Sequence, residues 1–313
     1  MTGRWRVALT DPMHPEPAAR LAGFADALSL KDAGAARPGL LAGADALIVR
    51  TPISEADVLA GSRLRLIVRH GAGMDFIPVQ LALSRGIRLA NVPDANSVSV
   101  AEHVIGAILS LARSFCQLDR QLRAGDWAVR QRVSGVELAG KTLGIVGVGR
   151  IGRLVAVRAF HGLGMKVAGF DPQASTVPDC VQRFDSLDAL LASVDVLSLH
   201  VPLTATTANL IDAQRLRRMK PGCFLVNAAR GGIVDERALA AALRDGHLAG
   251  AAIDVFGKQP IEPDHPLLSA PNALLTPHAA SLTEESFRAM GAGSVDEVER
   301  AWRGQPLLNP VLG

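Results

Sequence analysis

The first residues here whose types and spacing could do chemistry are a glycine-rich turn and an acidic residue downstream of it. Thr142-Leu-Gly-Ile-Val-Gly147-Val-Gly149-Arg150-Ile151-Gly152 reads as a strand, a tight turn and the start of a helix. A missing side chain at Gly147 allows the turn. At Gly149 it lets a pyrophosphate approach the backbone, and at Gly152 it lets the helix pack close on the strand. The helix start, with Arg150 and Ile151, then turns its amides toward the phosphate charge. Alone, such a turn is weak in a chain with 30 glycines. Its context strengthens it. The next apolar run, Lys166–Phe170, ends in Asp171, 19 residues beyond Gly152, where a carboxylate would bond the adenosine ribose hydroxyls. That carboxylate repels a ribose 2′-phosphate, and Pro172-Gln173 supplies no arginine to receive one. The pattern therefore favours NAD over NADP.

A parallel sheet must hold such a turn, and the chain supplies the pattern of one. Strands are expected at Thr142–Val146, Lys166–Phe170, Val194–Leu199, Cys223–Asn227, Ala251–Val255 and Ala273–Thr276. Helices are expected between them at Ile151–Leu163, Leu187–Leu191, Asp212–Met219 and Asp235–Asp245, the alternation of a doubly wound dinucleotide fold. Earlier in the chain, Arg6–Thr10, Ala46–Arg50, Leu64–Arg69 and Ile87–Asn91 read as strands, with helices at Glu16–Ala27 and Glu55–Ala60. Their continuous apolar runs argue for sheets covered on both faces. Ser97–Leu122 reads as one helix, apolar almost all round through Val98, Val100, Val104, Ile105, Ile108, Leu109 and Leu111. Such a helix is expected to be buried, as a crossing between two domains. After His278 a last helix and a proline-containing tail need a surface, and the first domain is the economical choice.

Composition limits the function classes. The 313 residues suggest two domains at roughly 150 residues each. With 49% hydrophobic and 20% charged residues and a mean hydropathy of +0.23, disorder is excluded. The net charge is only +3, the longest basic run is Arg217-Arg218-Met219-Lys220, and aromatics are 4% with no tyrosine. A nucleic-acid partner is therefore not expected. Cys116, Cys180 and Cys223 form no C-x-x-C pair, so buried thiols in a reducing compartment are expected and a metal site is not. No signal segment and no window of about 18 uncharged apolar residues occurs. The expectation is a soluble, cytoplasmic protein with no membrane partner.

From about Leu64 to Asn309 the chain resembles the D-isomer-specific 2-hydroxyacid dehydrogenases. The resemblance is carried, in order, by Arg69-His-Gly-Ala-Gly-Met-Asp75, Asn96-Ser-Val-Ser-Val-Ala-Glu-His103, His200-Val-Pro-Leu-Thr-Ala-Thr-Thr207, Asn227-Ala-Ala-Arg230-Gly-Gly-Ile-Val-Asp235, Ala251-Ala-Ile-Asp254-Val-Phe and Thr276-Pro-His278-Ala-Ala-Ser. It implies an α/β fold in which a doubly wound, parallel-sheet NAD-binding domain (96–282) is inserted into a smaller flavodoxin-like substrate domain (1–95, with 283–313 returning to it). It also implies hinge closure and a homodimer built through the cofactor domain. Arg230 is implied to hold the substrate and His278 to act as acid/base. Val201, Pro202, Thr207, Ala228, Asp254 and Ala280 are implied to line NAD. Arg50, Arg69, His70, the amides of Ala72 and Gly73, and Asn96 are implied to meet a small 2-hydroxyacid or 2-oxoacid.

One position departs from the family. Its third catalytic residue is a glutamate in D-V-F-x-x-E-P, and this chain reads Asp254-Val-Phe-Gly-Lys-Gln259-Pro260. An amide can orient an imidazole, but it cannot stabilise the imidazolium as a carboxylate does. Formate dehydrogenases of the same superfamily carry glutamine here, which keeps a formate-type enzyme as one alternative. An NAD-sensing binding protein without catalysis is the other.

Overall fold

The structure, a computed structural model, describes residues 3–312. It divides into two compact units. One comprises the residues up to Asn96 together with those from Leu282 onward, and the other runs from Ser97 to Ser281.

The first unit is built on five parallel strands, β1 (Trp5–Leu9), β2 (Ala25–Ser29), β3 (Ala46–Val49), β4 (Leu66–Arg69) and β5 (Arg88–Ala90), in the order β2-β1-β3-β4-β5. That is the flavodoxin-like order. The central strands are buried throughout, as Ala46-Leu-Ile-Val49 shows, because helices cover both faces. The expected helix Glu16–Ala27 is corrected here. It stops at Ala22, capped by Gly23, and Ala25–Ser29 forms β2. As an edge strand β2 needs only backbone pairing with β1, so Asp26 and Ala27 stay exposed and no apolar run marks it. The helix Glu284–Trp302 packs on the helix Pro15–Ala22 of the same unit through a buried side that includes Val295 and Val298.

The second unit carries seven parallel strands: β6 (Thr142–Val146), β7 (Lys166–Phe170), β8 (Val181–Arg183), β9 (Val196–Leu199), β10 (Cys223–Asn227), β11 (Leu248–Ile253) and β12 (Ala273–Leu275). Their order, β12-β11-β10-β9-β6-β7-β8, is the doubly wound arrangement with one added strand beyond the six expected. The addition is β8, again a short edge strand. The order reverses between β6 and β9, the kind of switch point outside whose carboxyl ends doubly wound sheets bind ligands.

Three further expectations are corrected. The helix from Ser97 ends at Ala112, where the Ala112 carbonyl accepts the Val136 amide at 2.7 Å instead of continuing the helical ladder. Ser114 then takes a left-handed conformation (φ 52°), and a second helix, Phe115–Arg123, departs at 60°. The first helix is also not buried all round. Val100, Val104 and Ile108 are buried, whereas Val98 is 50% exposed. Of the cysteines only Cys223 is buried, its thiol pushed up to about 12 by burial. Cys180 is half-buried and Cys116 is exposed. No single helix among the described residues is long and apolar enough to cross a membrane.

Candidate active site

In the second unit the expected site residues follow the carboxyl ends of successive strands, the edge where open α/β sheets bind ligands. After β6, Gly147 turns with φ +91°, and a Cβ there would lie 2.5 Å from the His200 carbonyl oxygen. A Cβ on Gly152 would lie 2.2 Å from the Gly147 carbonyl oxygen, so neither position admits a side chain. The helix Arg150–Leu163 starts from Gly149 with no side chain capping it, leaving its first amides for an anion. After β7, the Asp171 carboxylate accepts from Val148 N (2.9 Å), Gln173 N (2.9 Å) and Ala174 N (3.1 Å), which fixes it beside the turn. After β9, the loop with Val201 and Pro202 is closed by Thr207, whose hydroxyl donates to the Pro202 carbonyl at 2.5 Å. The cradle fits a dinucleotide.

Three loops at the next strand ends bring Arg230, Gln259 and His278 to the same edge. After β10, buried Asn227 organises the first: its Nδ2 donates to the Arg230 carbonyl (2.9 Å) and its Oδ1 accepts the Ala229 amide (3.1 Å), with Ala228 between. After β11, Asp254 is only 2% exposed, and both its oxygens hold the loop after β12. Oδ1 accepts from the Thr276 hydroxyl (2.5 Å) and Ala279 N (2.7 Å), and Oδ2 accepts from Ala280 N (3.0 Å). His278, at φ 54°, donates its backbone N–H to the Asp254 carbonyl at 2.8 Å. Asp254, expected at the cofactor, is thus also the brace of the His278 loop. Thr276 belongs to that brace, and only its place beside His278 in the sequence hinted at it.

The Gln259 side chain bridges this brace to the imidazole. Its Nε2 donates to the Phe256 carbonyl at 3.2 Å, so its Oε1 is the end that faces His278 Nδ1, at 2.9 Å. An amide oxygen only accepts, so Nδ1 carries the proton and Nε2 is the nitrogen through which one can be exchanged. Gln259 therefore sets the same tautomer a carboxylate would, without the charge. Glu262, by contrast, pairs with Lys258.

In the first unit, the loop after β4 is pulled inward by its carbonyls. Val92 N donates to the Gly71 carbonyl at 2.9 Å, and Asn91 Nδ2 donates to the Ala72 carbonyl at 2.8 Å. Across a trans peptide the next N–H points the opposite way, so the amides of Ala72 and Gly73 are turned outward together. Arg69 is a brace of this loop: its guanidinium donates to the carbonyls of Gly73 (2.9 Å), Val49 (2.8 Å) and His70 (3.0 Å). Arg50 instead lies over the Phe287 ring at 4.7 Å, and Thr10 Oγ1 holds its backbone N–H at 2.8 Å. His70 is 3% exposed, 5.8 Å from the Phe287 ring, and neither of its ring nitrogens has a partner among the described residues. Asn96 Oδ1 is likewise buried without a partner among them. Neither Phe287 nor Thr10 is marked by any motif; only a framework contact reveals them.

Burial, with Arg50 and Arg69 nearby, lowers the His70 pKa from 6.5 to about 4. The unfolded chain then takes up a proton first as pH falls, so this contribution to stability is complete above pH 6.5 and is lost between 6.5 and 4. Between pH 7.5 and 5 the wild type should lose about 2 kcal/mol more unfolding free energy than His70→Gln. Urea unfolding of both proteins at the two pH values measures this, and equal losses would contradict it.

A family model described as the D-isomer specific 2-hydroxyacid dehydrogenase NAD binding domain matches residues 105–280. The (S)-sulfolactate dehydrogenase of Chromohalobacter salexigens is 43% identical over 265 residues, 83% of this chain and 85% of that one. The D-3-phosphoglycerate dehydrogenase of Methanocaldococcus jannaschii is 40% identical over 273 residues, 86% of this chain but 52% of its own length. The chain thus spans about half the length of the D-3-phosphoglycerate dehydrogenases it matches. Among solved structures, a Thermus thermophilus protein superposes with a TM-score of 0.90 at 33% identity, covering 98% of this chain and 100% of that one. An NAD-dependent formate dehydrogenase of Staphylococcus aureus, in complex with NAD, gives 0.87 at 30%, covering 98% and 99%. An α/β chain with a doubly wound, NAD-binding unit is thereby defined. It belongs to the D-isomer specific 2-hydroxyacid dehydrogenase family.

Proposed function

We propose that the protein is an NAD-dependent oxidoreductase that interconverts a D-2-hydroxyacid and its 2-oxoacid. The observation that carries this is the 2.9 Å hydrogen bond from His278 Nδ1 to Gln259, which prepares the imidazole to give or take a proton at Nε2. Gly147, Gly149, Arg150, Ile151, Gly152, Asp171, Val201, Pro202, Thr207, Ala228, Asp254 and Ala280 are assigned to the cofactor. NAD supplies the hydride chemistry when bound. In reduction, protonated His278 gives its proton to the developing alkoxide; in oxidation, neutral His278 takes the hydroxyl proton. Arg230 holds the carboxylate and polarises the reacting oxygen with a planar fork. In the substrate unit the amides of Ala72 and Gly73 are assigned to the carboxylate, with His70 and Asn96 as further contacts. The names of the sulfolactate and phosphoglycerate relatives specify a second anionic group, and Arg50 is the cation assigned to one here. Arg69 supports the loop.

An assay with NADH and NADPH against glyoxylate, hydroxypyruvate, phosphohydroxypyruvate, sulfopyruvate and longer 2-oxoacids tests this, with formate and NAD in parallel. NADH-linked reduction of a 2-oxoacid is expected, strongest with a second anion. Formate oxidation alone would install the formate-type alternative, and tight NAD binding without turnover would install the sensor. A homodimer in the cytoplasm is part of the same proposal. Its support is an apolar surface on the second unit, where Val98, Val157 and Phe160 are 50%, 41% and 41% exposed. Light scattering should give twice the 32.9 kDa chain mass for the wild type and the monomer mass for Phe160→Glu. A monomeric wild type would overturn it.

A further inference from the structure

Glu236, which no motif above singles out, is the first residue of the helix Glu236–Arg244 and directly follows the loop that carries Arg230. Its carboxylate grips the loop after β11 at two places. Oε1 accepts the Gly257 amide at 2.8 Å, and Oε2 lies 2.8 Å from His265 Nε2. His265 accepts the Leu267 amide on Nδ1 (3.4 Å), which leaves its Nε2–H to donate to Glu236. Both side chains are largely shielded, at 15% and 16% exposed, and the Phe256 ring stands edge-on to His265 at 5.9 Å. Gln259 lies between the two gripped points. The Phe256–Gly257 peptide ends in the Gly257 N–H held by Glu236, and its carbonyl is the acceptor that orients the Gln259 amide. The same peptide is pressed against Gly231, where a Cβ would lie 2.0 Å from the Phe256 oxygen.

We infer that Glu236, with His265, is a positioning residue that fixes the Phe256–Gly257 peptide plane, and through it the Gln259 rotamer and the imidazole of His278. A peptide plane rotated by losing its N–H partner would swing its carbonyl away from Gln259 Nε2. The amide could then present either end to Nδ1, and its nitrogen would oppose the Nδ1–H. The inference rests on the proposed acid/base reaction.

A double-mutant cycle on kcat tests it, using Glu236→Ala and Gln259→Ala singly and together, with Glu236→Gln as the milder partner should the alanine variant fold poorly. Each single change is expected to lower kcat about tenfold with KM for NADH little changed, and the double variant is expected to match Gln259→Ala alone. Glu236→Gln keeps an acceptor for Gly257 and sets a donor against the His265 N–H. It should give a smaller loss that vanishes in the Gln259→Ala background. Losses that multiply in the double variant would mark Glu236 as merely structural and overturn the inference, as would unchanged kcat in Glu236→Ala or Glu236→Gln. If Gln259→Ala itself keeps full kcat, it is the orienting role of Gln259 on His278 that fails, and this inference falls with it, while His278→Gln tests the acid/base separately.

Discussion

Arg230→Lys is expected to lower kcat/KM for the 2-oxoacid at least about a hundredfold while leaving the dissociation constant for NADH within about twofold. The Arg230 loop is rigid: Asn227 grips its backbone on both sides, and Nη1 donates to the Ala229 carbonyl at 2.7 Å. That leaves little freedom for a replacement to find another pose. A lysine keeps the charge but offers a point in place of two parallel N–H bonds, so the 2-oxoacid carbon sits less well aligned with the hydride-donating carbon of NADH. A hundredfold is about 2.7 kcal/mol of transition-state stabilisation. NADH titration by fluorescence beside steady-state kinetics separates the two quantities. Unchanged kcat/KM would remove Arg230 from the site.

His278→Gln should cost about a hundredfold to ten-thousandfold in kcat, the usual worth of a positioned acid/base. The companion change is Gln259→Glu. It puts a carboxylate on the Nδ1–H now held by an amide at 2.9 Å, so the imidazolium gains a partner of opposite charge. Reduction needs the protonated histidine, so its rate should persist to higher pH, with the kinetic pKa raised by about one unit, worth roughly 1.4 kcal/mol. Burial holds His70 and His200 down to about 4, so neither is the group whose inflection Gln259→Glu is expected to move. Superimposable pH–rate profiles for Gln259→Glu and wild type, with hydride transfer shown to be rate-limiting, would mean that Gln259 does not act on His278.

What the sequence made legible followed burial. The central strands, such as Ala46–Val49 and Cys223–Asn227, are covered on both faces and appear as unbroken apolar runs. The edge strands β2 and β8 pair on one side only and expose most of their residues, so their composition carries no such signal. The break at Ser114 was hidden because the ladder is ended by an amide distant in sequence, that of Val136. In the site, the glycine turn, Asp171, Arg230 and His278 stand in recognisable strings. The groups that orient them do not. Asp254 turns its carboxylate onto the His278 loop and Glu236 grips the Gln259 loop, and each acts through a peptide amide far along the chain. Only the folded backbone brings those amides into reach.

The most direct measurement is a single turnover with NADH carrying two deuteriums on the reactive nicotinamide carbon and the best 2-oxoacid of the panel, with the product analysed by mass spectrometry and chiral chromatography. The expected result is one deuterium on the C2 carbon of a D-2-hydroxyacid, formed with a primary isotope effect on the transfer step. An unlabelled product, an L-hydroxyacid, or no product from any 2-oxoacid while NADH stays bound would contradict the proposed reaction.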